Sequence, residues 1–183
     1  MIAKNRKNYR FLLTSELIGA FFASLLGPFY TLFVNNLAGT AENFGISFGI
    51  YGLAISITSY FAGKYSDQYG RKIFLVISSF LLSFTTFSYT LISTVNQLYF
   101  LQAIQGILVA TYITVSAVFL ADITKKSERG RQIGKYNTIV GIFASLAVIL
   151  GGFLVSSYGF VLIFYIVALG NLISTILLLW IKD

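Results

Sequence analysis

Few side chains in this chain can do more than form hydrogen bonds. It contains no His and no Cys. That removes the commonest general base, the commonest metal ligand, thiolate nucleophiles and disulfides. Of the acidic residues, only Glu16 lies inside a long apolar run; the others fall in polar segments. An ionisable group at such depth is costly, so it marks a functional site by default. Desolvation favours the proton-bound form of a carboxyl, which suits a proton-binding group. The alternative is that Glu16 snorkels to the membrane surface or pairs with Arg10. One carboxylate inside the apolar runs cannot make the facing pair that an intramembrane aspartyl protease needs. With His and Cys also absent, the reading is that the protein is not an enzyme and holds no metal or cofactor.

The elements that must carry these groups follow from composition. Charged residues are only 10% of the 183, and 57% are hydrophobic. Soluble domains average about 25% charged, so this chain cannot solvate a globular surface and belongs in a lipid bilayer. Six apolar runs are legible, at about 11–34, 44–62, 73–93, 97–121, 136–156 and 160–181. Each is long enough to cross roughly 30 Å of hydrocarbon as a helix. The expected fold is one all-α domain over residues 1–183 with six transmembrane helices. The first run is too long for the apolar core of a signal peptide and carries Pro28, so a retained, kinked helix is expected.

The 13 Lys and Arg residues orient the bundle. They lie in the N-terminal tail (Lys4, Arg6, Lys7, Arg10), the second loop (Lys64, Arg71, Lys72), the fourth loop (Lys125, Lys126, Arg129, Arg131, Lys135) and at Lys182. The first, third and fifth loops have none. The positive-inside rule then puts both termini in the cytoplasm, most simply at the plasma (inner) membrane. Topology and anionic lipid account for the net charge of +7, and no nucleic-acid partner is needed.

Two stretches repeat at an offset of 89 residues. Gly52, Ser56, Gly63, Tyr69 and Gly70 align with Gly141, Ser145, Gly152, Tyr158 and Gly159. Coincidence is one reading in a composition this biased. The other is two three-helix units, inverted relative to each other because three is odd.

The second loop reads Gly63-Lys64-Tyr65-Ser66-Asp67-Gln68-Tyr69-Gly70-Arg71-Lys72. Its two glycines suit tight turns, and Asp67 can accept from Arg71 or from helix N-terminal N–H groups. The stretch resembles the G-x-x-x-D-R-x-G-R-R/K signature of the major facilitator superfamily, between that family's second and third helices. Gly63, Asp67, Gly70, Arg71 and Lys72 match, while Gln68 stands where the family has Arg. Asp122, followed by Glu128-Arg129-Gly130-Arg131, is similar to the family's fourth loop. The resemblance covers the family's N-terminal six-helix half. It implies a gate around Gly63, Asp67, Gly70, Arg71, Lys72, Asp122, Arg129 and Arg131 that closes the cytoplasmic side in one state and breaks in the other. The alternative is that these basic residues are topogenic only.

Two further family patterns are degraded. The usual R-x-x-Q-G of helix four is Gln102-Ala103-Ile104-Gln105-Gly106 here, and of the antiporters' G-P-x-x-G-G only Gly151-Gly152 remains. On helix four, Gln102, Gln105, Val109, Tyr112 and Ser116 fall on one stripe. In this family helices one and four face the central cavity. The resemblance therefore implies a substrate path along Glu16, Gln102, Gln105, Tyr112 and Ser116, with Glu16 as the proton-coupling group. Plain interhelical hydrogen bonding is the competing role. Such a wall suits a neutral or amphipathic small molecule.

The expected function is a secondary active transporter working by alternating access, with proton-coupled efflux as one mode. Six helices supply half of such a path. A second six-helix half is therefore expected, as a second copy, a separate chain or a missing C-terminal half. In a homodimer, helices two and five, with Gly52 and Gly141, would form the joint about a two-fold axis along the membrane normal. The alternative is a non-transporting module of the same stock, an assembly or regulatory subunit or an inactive fragment.

Overall fold

The computed structural model describes residues 2–181, and side chains from residue 6. Of the basic count above, Lys182 lies outside the described residues and the Lys4 side chain outside the described side chains. The elements are α1 (Ile2–Leu26), α2 (Phe29–Ala38), α3 (Ala41–Tyr69), α4 (Arg71–Ser88), α5 (Val95–Ile123), a short 3-10 turn (Lys126–Glu128) and α6 (Arg129–Leu178). The protein is an all-α membrane protein, with no strand among the described residues.

The first apolar run is two helices rather than one kinked helix. Gly27 takes φ 29° and Pro28, without an N–H, cannot extend the backbone ladder of α1. The Pro28 carbonyl instead accepts from the Thr31 N–H (3.2 Å) and the Thr31 hydroxyl (2.6 Å) at the start of α2. Thr40 caps α3 by accepting from the Asn43 N–H at 3.2 Å. Thr94 and Gln97 form a reciprocal capping box at the start of α5, so helix four begins slightly earlier than the apolar run suggests.

Helix α6 runs 50 residues, or roughly 75 Å if straight, more than twice the hydrocarbon thickness. It is not straight. Gly159 sits at φ 75°, ψ −179° inside it, a conformation open essentially to glycine alone. Packing shows the fold-back. The backbone of Leu25 lies against Gly151, and the side chain of Phe22 lies against Gly170. Two neighbouring turns of α1 thus touch positions of α6 that flank Gly159 on either side. The two arms of α6 must therefore run antiparallel.

The offset of 89 reappears in the backbone. Gly70, between α3 and α4, takes φ 91°, ψ 147°, close to the conformation of Gly159. Ser56 bonds the Gly52 carbonyl (2.9 Å), and Ser145 bonds the Gly141 carbonyl (2.8 Å). Gly63 lies 3.8 Å from Thr114 by its nearest added-carbon contact; moved by 89, that pair becomes Gly152 and Leu25, one residue from the Gly151–Leu25 contact. The helix pairs are thus related as the inverted repeat requires: α3 on α5, and α1 on the first arm of α6.

Two expectations about loops change. The signature segment is not a loop, because α3 continues through Gly63 and Asp67 to Tyr69 and only Gly70 leaves the helix. One interior glycine costs about 1 kcal/mol, too little to end a long helix. Likewise the charged stretch after Asp122 is mostly helical, and Arg129, Arg131 and Lys135 stand in the first turns of α6. Charge marks where lipid ends, not where a helix ends.

Apolar side chains pack in two clusters. One includes Leu25, Val34, Tyr89, Leu98 and Phe164; the other includes Leu12, Leu75, Val115, Phe119 and Leu178, toward the basic end. Buried hydroxyls tie the helices between them. The Ser15 and Ser174 hydroxyls lie 2.8 Å apart, and those of Ser79 and Thr175 2.7 Å apart. In a membrane such interhelical bonds contribute about 0.6 kcal/mol each.

Candidate functional site: a cavity between the clusters

A cavity of about 410 Å³ lies between α1, α2, α4, α5 and the second arm of α6, with Tyr51 reaching in from α3. Its small-residue wall comes from Gly19, Ala20, Ala23 and Gly27, and Gly19 lets α1 approach Ser174 closely. Glu16, Gln105 and Tyr112 line it. Gln102 and Ser116 stand one layer back.

Glu16 is bonded rather than snorkelled. Its Oε1 accepts from the Ser116 hydroxyl at 2.7 Å, joining α1 to α5. The hydroxyls of Tyr112 and Tyr136 stand beside the same carboxyl. A carboxyl in a low-dielectric setting needs such donors once ionised.

Gln102 is fully buried. Its Oε1 accepts from Tyr30 at 3.1 Å and from Tyr89 at 3.4 Å. It therefore holds two rings that form the far end of the cavity. Those rings meet edge to face with centroids 5.4 Å apart, and Tyr89 stacks on Phe164 at 5.6 Å. The cavity thus has an acid and hydroxyl end near Glu16 and an aromatic end near Tyr30. Gln102 shapes the cavity from behind instead of lining it.

At the basic end, Arg71 is the hub. It pairs with Asp67 one turn back, its Nε donates to Asp122 Oδ2 at 3.3 Å, and its Nη1 donates to Ser66 Oγ at 2.7 Å. These contacts link the end of α3, the start of α4 and the end of α5. Gly70 makes the tight reversal that brings Arg71 back over Asp67. Lys72 donates to the Leu179 carbonyl at 2.8 Å. Arg131 pairs with Glu128 at 3.3 Å, and the buried Nε of Arg129 has no hydrogen-bond partner. Neither arginine is brought onto Asp122 by these contacts.

Sequence reasoning missed Tyr51, Tyr89, Phe164, Asn171 and Ser174 in the cavity wall, and Tyr136 beside Glu16. Asn171, a carboxamide inside the last apolar run, carried a signal. The aromatic residues carried none, because lipid-facing helices are equally rich in them.

A helical membrane bundle with an internal cavity, mostly apolar with a few polar groups on its wall, and a cluster of ion pairs at one end has the architecture of a membrane-transport fold. The family model described as Major Facilitator Superfamily matches residues 12–183. The chain belongs to that superfamily, whose members are transporters and not enzymes. It is 32% identical over 145 residues to the uncharacterised MFS-type transporter YitZ of Bacillus subtilis, covering 79% of this chain and 88% of that one. It is 27% identical over 161 residues to an uncharacterised MFS-type transporter of Methanocaldococcus jannaschii, covering 85% of this chain and 42% of that one. It is 26% identical over 174 residues to Multidrug resistance protein 1 of Bacillus subtilis, covering 94% of this chain and 44% of the relative. The chain spans most of the first relative's length and less than half of the other two.

Proposed function

We propose that this protein moves a small amphipathic solute across the membrane by alternating access, coupled to proton binding at Glu16. The observation that carries this reading is Glu16 itself: an acid on the wall of an intramembrane cavity, bonded across to α5 through Ser116. The aromatic far end receives an apolar body, and the hydroxyl and carboxamide groups receive its polar part. Both termini are cytoplasmic, so the Arg71 lock closes the cytoplasmic side. The six helices form six crossings, α1 with α2 as the first and the arms of α6 as the last two. A second six-helix half completes the cavity. It joins along α3 and the first arm of α6, where no atom lies within 4 Å of a carbon added at Gly45, Gly49, Gly52, Gly134 or Gly141.

The test is flux in liposomes with and without a proton gradient, against a panel of amphipathic solutes. Gradient-stimulated flux supports the reading. Flux absent here and also absent after co-reconstitution with a second half would favour the non-transporting module.

The lock has its own test. Exposed ion pairs contribute at most about 1 kcal/mol, so Asp67→Asn shifts the open–closed balance about fivefold. With no native cysteine, a single Ala62→Cys reports this cleanly, because Ala62 is buried in the cluster at the basic end. Its labelling by an aqueous maleimide should rise about fivefold with Asp67→Asn. Unchanged labelling would leave these charges with a topogenic role alone.

A further inference from the structure

We infer that Tyr136 is the positioning residue that couples the proton on Glu16 to the cytoplasmic end of the fifth crossing. The inference rests on the proton-binding role proposed for Glu16. Tyr136 is buried, 7% exposed, in the third turn of α6. Its ring packs edge-on against Tyr9 of α1, with centroids 6.3 Å apart. Tyr9 and Glu16 are seven residues apart, so they share one face of α1. Tyr136 fills that face, with its hydroxyl beside Glu16 and Ser116. Yet this hydroxyl makes no hydrogen bond of acceptable geometry.

A buried, unpartnered hydroxyl costs about 1–3 kcal/mol, and a nearby group able to accept its bond draws it in. Glu16 has one settled donor in the structure, Ser116. A protonated carboxyl offers little further acceptor strength. When Glu16 releases its proton to water, the carboxylate becomes a strong acceptor. Tyr136 then donates its O–H bond to it and keeps its own proton. That bond pulls the first arm of α6 toward α1. The same arm is joined to Asp122, at the end of α5, through the short 3-10 turn Lys126–Glu128, and it begins at Arg129, two turns before Tyr136 on the same face. Loss of the proton at Glu16 is thereby felt at the lock. The ionisable and hydrogen-bonding groups at this point are Tyr9 and Ser15 of α1, Tyr112 and Ser116 of α5, and Tyr136 of α6.

The test places spin labels at Thr14→Cys and Lys135→Cys, both at exposed positions on α1 and α6, in the protein held in nanodiscs. The distance distribution is recorded between about pH 5 and 8. The expected result is a population that shifts to the shorter distance as pH rises. Tyr136→Phe keeps the ring and its Tyr9 contact but should reduce that shift about fivefold, the worth of one net hydrogen bond. Tyr9→Phe should leave it intact. A wild-type shift in Tyr136→Phe, with no shift in Glu16→Gln, overturns the inference and leaves Glu16 as the proton site. A shift that persists in Glu16→Gln overturns the reading of Glu16 itself. Should Tyr136→Phe fail to fold, the labelled parent still decides: a distance that ignores pH overturns the coupling.

Discussion

Replacing Glu16 by Gln should reduce proton-driven flux by about a hundredfold or more, the usual scale for losing a proton-transferring group. The substitution is nearly isosteric. The new amide keeps an oxygen able to accept from the Ser116 hydroxyl, now 2.7 Å from Glu16 Oε1, so the cavity wall should hold its shape. What is lost is the ability to bind and release a proton. The result should therefore split by assay. Uphill movement of solute against its gradient collapses, while solute exchange without a proton gradient survives within about threefold, because the binding surface is unchanged. Gradient-driven flux at the wild-type rate in Glu16→Gln would remove the acid from the mechanism and leave it as a hydrogen-bonding group between α1 and α5.

The largest expected effect on stability comes from Gly151→Ala. A carbon added at Gly151 would stand 2.0 Å from the Leu25 carbonyl oxygen and 2.7 Å from its carbon. Backbone cannot step aside as a side-chain tip can, so α1 and the first arm of α6 must separate along their contact. Overpacking of this kind costs about 3 kcal/mol. Neighbouring glycines calibrate the claim. At Gly152 the nearest atom is the far end of the Phe29 ring at 3.1 Å, and a ring can tilt. At Gly141 nothing lies within 4 Å, and alanine there gains about 1 kcal/mol of helix propensity. The thermal midpoint in mild detergent should fall most for Gly151→Ala, less for Gly152→Ala, and not at all for Gly141→Ala. Equal midpoints for Gly151→Ala and Gly141→Ala would mean that the two helices do not touch there.

Much of the architecture was legible before any coordinates. The apolar runs announced membrane helices, because lipid forces each span to satisfy its own backbone hydrogen bonds. Gly70 and Gly159 announced two equivalent reversals, since both lie at the repeat offset and few residues other than glycine tolerate that backbone. Gly63 misled. Its motif position suggested a turn, but nothing local compels α3 to stop there. The site was legible in part for a similar reason. Glu16, Gln105 and Tyr112 stood out as polar residues at helical spacing in apolar runs, and they line the cavity. Gln102 shares their stripe, yet it points between Tyr30 and Tyr89 and is sealed from the cavity.

The information carried by hydropathy and charge along the chain is one-dimensional. It fixed where the chain enters and leaves lipid, which loops carry positive charge, and which few polar groups are carried into the membrane. Those properties depend on the solvent each residue meets, and hydropathy and charge report that directly. Tertiary structure decided which polar groups meet. Ser116 is 100 residues from Glu16, Asp122 is 51 from Arg71, and Tyr136 is 120 beyond the carboxyl it stands beside. Helical spacing assigns each to a face of its own helix, but not to a partner across the bundle. That pairing is set by close contacts such as Leu25 on Gly151 and Tyr51 on Gly106. They fix the rotation of each helix about its axis, and only packing of the whole bundle can choose it.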